Sequence, residues 1–164
     1  MLPCPDDSLV IQPCPDLSNQ DIQQLLVAEK ECFADYWQEA DFKRFAGQDN
    51  LYVARMLSDD RSAITAYMLW QSARIEADLW RIAVLPHCRG IGLGKKLLKK
   101  ALLAMQQQQL SELFLEVAVN NPVAIGLYQS VGAEVVGKRL HYYRPTPSQA
   151  IDALIMKIDL TRPL

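Results

Sequence analysis

Nowhere in this 164-residue chain do about 18 consecutive apolar residues occur, so a helix that crosses a membrane finds no support. The opening residues, Met1-Leu2-Pro3-Cys4-Pro5-Asp6-Asp7, lack the positive segment and apolar run of a secretory leader, and the expected location is cytoplasmic. An excess of positive charge is missing too. With 17 basic against 19 acidic residues the formal net charge is -2, which leaves no global field to attract nucleic acid or an anionic membrane surface. Cys4, Cys14, Cys32 and Cys88 are irregularly spaced with no C-x-x-C pair, and only His87 and His141 could assist them as soft ligands. The expectation is reduced thiols and no metal.

What is present is an apolar half of the composition, enough for one sizeable core and too little chain for two. A single domain over residues 1–164 is expected, with 1–17 as a peripheral segment carrying a first short strand at Val10-Ile11-Gln12. Ser18-x-x-Asp21 signals the cap of a helix from about 19 to 33, and a short helix is expected from Trp37 to Phe45. Three β-type runs follow, Leu51 to Leu57, Ala63 to Trp70 and Ile75 to Val84, joined by turns too short for parallel crossovers. The second half changes style. A glycine loop after Val84 leads into a helix from about 92 to 108, an apolar strand Leu113 to Val119, and a helix from about 122 to 131 that Asn121 caps and Gly132 ends. Two final strands, about 133 to 140 and 152 to 159, are expected to flank a proline-stiffened loop from His141 to Pro147. The fold class is therefore α/β with a mixed sheet, an antiparallel meander followed by a βαβ unit, and helices on both faces.

Arg89-Gly90-Ile91-Gly92-Leu93-Gly94-Lys95 is the segment with the most chemistry. Alternating glycines directly before a helix remove Cβ atoms and leave free backbone N–H groups at a positive dipole end, which suits a phosphate-bearing ligand. Arg89, Lys95 and Lys96 can add full charge. The spacing fits neither G-x-x-x-x-G-K-[ST] nor G-x-G-x-x-G, so neither a P-loop nucleotidase nor a Rossmann dehydrogenase is favoured. A purely structural turn is the bland alternative, as is a solvated face for the lysines of the helix that follows.

Ile82-Ala83-Val84-x-Pro86, Arg89-x-x-Gly92-x-Gly94 and Leu115-Glu116-Val117-x-x-x-Asn121-x-x-Ala124-x-x-Leu127-Tyr128 together resemble the GNAT acetyltransferase superfamily. Leu-Glu-Val, Leu-Tyr and Tyr142-Tyr143 resemble its branch of bacterial ribosomal-protein alanine N-acetyltransferases. The likeness implies a coenzyme A pyrophosphate on Arg89, Gly90, Ile91, Gly92, Leu93, Gly94 and Lys95, and pantetheine along Ile82, Ala83 and Val84. It also implies acetyl-coenzyme A as cosubstrate, Asn121 as a cofactor contact, Glu116 as general base and Tyr128 as general acid. Two departures lie near the acceptor: Ala118-Val119-Asn120 stands where relatives usually carry Arg-Ala-Ser, and Asp35-Tyr36-Trp37-Gln38 where they carry Pro-Trp-Ser.

The residues themselves leave alternatives. Glu116 sits alone among apolar neighbours, where a partly desolvated carboxylate is a better proton acceptor, but it can equally face outward or pair with an arginine. Tyr128 can be a core tyrosine with its hydroxyl at the edge. Tyr142 and Tyr143 can clamp a peptide or stiffen their loop. The expected acceptor is a protein N-terminus, held in a groove between the Glu116 strand and the final hairpin. A small-molecule amine or a noncatalytic coenzyme A module are the rivals.

Overall fold

A computed structural model describes residues 8–146 and 148–163. Cys4, and Pro147 at the end of the expected loop, lie outside the described residues. The chain order is β1 (Leu9–Pro13), α1 (Asn19–Cys32), α2 (Glu39–Phe45), β2 (Leu51–Leu57), β3 (Ile64–Ala73) and β4 (Glu76–Val84). After these come α3 (Leu93–Gln107), β5 (Glu112–Ala118), α4 (Pro122–Gln129), β6 (Glu134–Thr146) and β7 (Gln149–Asp159). Single turns of 3-10 helix follow β1 and β4.

All seven strands form one sheet in the order β1-β2-β3-β4-β5-β7-β6, antiparallel except for β4 beside β5. The mixed α/β class with an antiparallel first half and a βαβ unit is as the pattern predicts. Pro13 sits inside β1 without disturbing it because β1 is an edge strand, where a missing N–H can face away from the ladder. Helix α1 starts as predicted, with the Ser18 hydroxyl accepting from the Asp21 N–H and the Asp21 carboxylate accepting from the Ser18 N–H.

Each face of the sheet carries its own core. Leu97, Leu98, Ala101, Leu102 and Met105 of α3 are fully buried against Ala54, Met68, Leu113 and Leu115, with α4 on the same side. On the other face Leu25, Ala28, Phe42 and Phe45 of α1 and α2 pack on Leu51, Val53, Tyr67 and Leu69.

The C-terminal third differs from the expectation in two respects. Residues 141 to 146 are not a loop: β6 continues to Thr146 and β7 begins at Gln149, so the turn is shorter and lies farther along. Register shifts on either side of Tyr143 show how β6 accommodates His141, whose φ is 56°. Pro145 is tolerated because β6 is an edge strand. Second, β7 lies between β5 and β6 and pairs with β5 from Glu112↔Asp159 to Ala118↔Ala153. The Glu116 strand is therefore joined to the hairpin by the sheet ladder, and the cleft that both line also takes residues of β4.

Candidate active site

The opening lies between β4 and β5. Their parallel pairing covers only Glu76↔Glu112, Ala77↔Leu113 and Asp78↔Phe114, after which the strands part. One cause lies in β4 itself. Trp70 pairs with Leu79 and Leu69 with Arg81, so Trp80 is an extra residue in β4, and such a bulge bends the strand that carries it. Beyond it, Ile82, Ala83 and Val84 pair with Met68, Tyr67 and Ala66 on one edge, and their other edge has no strand partner.

Two clefts flank the parted strands. One, of about 610 Å³, is lined by Ile82, Ala83, Val84, Arg89, Gly90, Gly92, Leu93, Gly94, Lys95 and Asn121, together with Phe33 and Leu127. Nearly every residue expected to hold the cofactor is thus brought together; Ile91 is exposed and lies outside this lining. The glycines have separate reasons. Gly90 and Gly92 adopt φ of 80° and 82°, a region that side chains disfavour. Gly94 has ordinary φ, but a Cβ there would stand 3.3 Å from Val84 Cγ2 and 3.6 Å from Leu127 Cδ2, so it permits close approach of α3 to β4 and α4. The Arg89 Nε donates to the Val84 carbonyl at 2.9 Å, which ties the loop back to the strand end. The Asn121 Oδ1 accepts from the Ala124 N–H at 3.1 Å, so this side chain caps α4 and lines the cleft at once.

The second cleft, of about 640 Å³, is lined by Trp37, Asp78, Trp80, Phe114, Glu116, Arg139, Tyr142 and Tyr143 among others. Alternation along β5 sends Leu113, Leu115 and Val117 into the core, and Phe114 and Glu116 to the cleft side. Glu116 is paired with an arginine, the bland alternative of the two: Arg139 Nε donates to its Oε1 at 2.8 Å. The sequence reading did not find Arg139. Its only signal was a basic residue in a strand, because the β5–β7–β6 order that carries it to Glu116 is not written locally.

The Glu116 carboxylate beside the Tyr142 hydroxyl, together with partial burial, pushes that hydroxyl up to about 12. The Tyr142 ring stands edge-on to Tyr143 at 5.0 Å and under the Arg139 guanidinium at 5.4 Å. The Tyr143 hydroxyl donates to the Glu116 carbonyl at 3.2 Å, and burial with the Glu116 charge raises its pKa. Tyr128 is 5 % exposed and packs within the α3-side core. Burial, and then the nearby Tyr143, push its ionisation well above the usual tyrosine range. It is therefore a core tyrosine close to Tyr143, and it is not among the residues lining either cleft.

A sheet parted between two parallel strands, with a glycine loop and helix start at one cleft and a carboxylate among tyrosines at the other, is an arrangement that can hold a phosphate-bearing ligand beside a second, aromatic-lined site. The acetyltransferase (GNAT) family model matches residues 19–133, and the chain belongs to that family, an N-acetyltransferase. It is 34% identical over 146 residues, 88% of its length and 95% of the relative's, to the ribosomal protein bS18-alanine N-acetyltransferase of Salmonella typhimurium. The ribosomal-protein-S18-alanine N-acetyltransferase crystal structure from Escherichia coli superposes with a TM-score of 0.80 at 27% identity, covering 95% of this chain and 96% of that one. A chimera of the spermidine N-acetyltransferase SpeG from Vibrio cholerae and hSSAT superposes nearly as well, TM-score 0.79 at 18% identity over 94% and 97% of the two chains, and shares the fold alone. Members of the family take their acetyl group from acetyl-coenzyme A.

Proposed function

We propose that the chain transfers acetyl from acetyl-coenzyme A to the α-amino group of a protein in the cytoplasm, with a ribosomal protein that begins with alanine as the favoured acceptor. The observation that carries this is the placement of Glu116 on the parted β5, in an aromatic cleft beside the cofactor-type cleft. The similarity to enzymes whose names specify a ribosomal-protein alanine supports the acceptor. Coenzyme A lies with its pyrophosphate on the Gly90 to Lys95 backbone and its pantetheine along the free edge of Ile82 to Val84.

The amine attacks the thioester carbonyl directly. Glu116 accepts the proton lost by nitrogen, the C–S bond breaks, and the departing thiolate takes a proton from Tyr128, whose buried hydroxyl must be uncovered to reach it. A protein α-amine, with pKa about 7.7–8.0, is partly neutral already, so a modest base suffices. Tyr142 and Tyr143 lie over the first residues of the acceptor and leave room for a small first side chain.

Because polyamine and protein acetyltransferases share this fold, the acceptor must be decided by competition. Mass spectrometry of the enzyme incubated with acetyl-coenzyme A, an alanine-initial peptide, its N-blocked version bearing a lysine, and polyamines should find the free alanine terminus modified fastest. Faster modification of the blocked peptide or a polyamine would show the α-amine assignment to be wrong. Coenzyme A binding without turnover on any of them would instead reveal a binding module.

A further inference from the structure

Arg81 is not among the residues lining either cleft, yet the wall between them is assembled on it. Its guanidinium carbon stands 4.2 Å from the ring centroid of Phe33 and 4.2 Å from that of Trp37. Phe33 lines the cofactor cleft and Trp37 the acceptor cleft. Its Nη1 donates to Glu29 Oε2 at 2.7 Å, and that same oxygen accepts the Trp37 backbone N–H at 2.9 Å. The Tyr67 hydroxyl donates to the other oxygen of Glu29. Glu29 is 0 % exposed, and a carboxylate so buried is tolerated only when charge and hydrogen bonds satisfy it. The contact of Arg81 with Asp35 is long, 3.6 Å, and Asp35 is solvated, so it adds little.

From there the order propagates into the acceptor cleft. Trp37 meets Phe45 edge-on at 5.0 Å, and Phe45 meets Trp80, another lining residue, at 5.4 Å. Only a planar cation serves two rings while also donating to a carboxylate; a lysine ammonium keeps the charge pair but cannot stack on both faces.

We propose that Arg81, held by Glu29, is a positioning residue that fixes Trp37 in the acceptor wall and so sets affinity for the acceptor amine. The proposal rests on the acetyl transfer argued above and deepens it. A pair that only stabilised the fold would register in thermal stability and not in a selective loss of acceptor affinity.

The test compares wild type with Arg81→Lys and with the apolar double variant Glu29→Leu/Arg81→Leu, which leaves no buried charge unpaired. Steady-state kinetics use whichever amine wild type acetylates best, with acetyl-coenzyme A affinity by calorimetry and melting temperature alongside. Arg81→Lys should raise the acceptor KM by about tenfold, the scale of a desolvated cation–π contact, with kcat changed less than about twofold and cofactor Kd, because Phe33 also rests on Arg81, raised less than the acceptor KM. The double variant should do the same while staying folded, and it carries the test if Arg81→Lys does not fold. An acceptor KM within about twofold of wild type in either folded variant overturns the proposal. So does a loss of KM, kcat and cofactor affinity together in step with the melting temperature. If wild type prefers a polyamine, the α-amine reading fails while the Arg81 comparison, made on that polyamine, still decides the positioning role.

Discussion

Glu116 is the residue whose chemistry can be read most directly, since it is held at Oε1 by Arg139 and its charge acts on Tyr142. Glu116→Gln should lower kcat by about a hundredfold below pH 7, and the deficit should narrow above pH 9, where the acceptor amine is neutral unaided. A deficit of constant size across the pH range, in a rate profile of both enzymes, would indicate positioning rather than proton transfer. The same carboxylate governs Tyr142. Because its folded pKa is raised, the contribution of neutral Tyr142 to stability is complete below about pH 10, its ordinary value, and is lost as pH rises toward about 12. A difference titration between wild type and Tyr142→Phe should place this ionisation near 12, and Glu116→Gln should bring it back toward 10. A step at 10 in wild type would contradict the contact.

At the level of elements, the loop before α3 shows why three alternating glycines are not equivalent. Gly90 and Gly92 answer to positive φ, and Gly94 to the packing of α3 on Val84 and Leu127. Gly94→Val should therefore act twice. Overpacking of about 1–3 kcal/mol should lower the melting temperature by roughly 3–10 °C, and displaced loop amides should weaken acetyl-coenzyme A by about tenfold or more. Calorimetry showing unchanged cofactor affinity in the folded variant would remove the loop from the cofactor site. The loop, α1 and α4 were legible because caps and glycines act locally: Ser18 and Asn121 cap α1 and α4 as their positions predict. The β6–β7 hairpin was not, because proline and adjacent aromatics read as loop, whereas an edge strand with bulges admits them.

Across the whole molecule the two cores sit on opposite faces of one sheet, and the parted β4 and β5 open between them. Coenzyme A held as proposed would touch the β4 edge, α3 and α4, so it should stabilise the entire domain. At about a hundred times Kd the gain is about 2.7 kcal/mol, or on the order of 5–10 °C in melting temperature for a chain of this length. A scan with coenzyme A that shows no shift, in a protein that binds it by calorimetry, would mean the cofactor rests on a surface separate from the cooperative unit.

Residue order along the chain determined the elements, their caps, the fold class and the glycine loop, all of which depend on periodicities and turn chemistry within about fifteen residues. It also determined the family, through motifs that keep their spacing within the βαβ unit. The shape of the aromatic cleft was decided only by tertiary structure. β7 pairs with β5, the Trp80 bulge bends β4 where the strands part, and Arg139 reaches Glu116 across β7. Glu29, Arg81 and Trp37 converge from a helix, a strand and a loop up to 52 residues apart. Long-range strand pairing and burial of charge are properties of the assembled sheet, so no local pattern in the chain announces them.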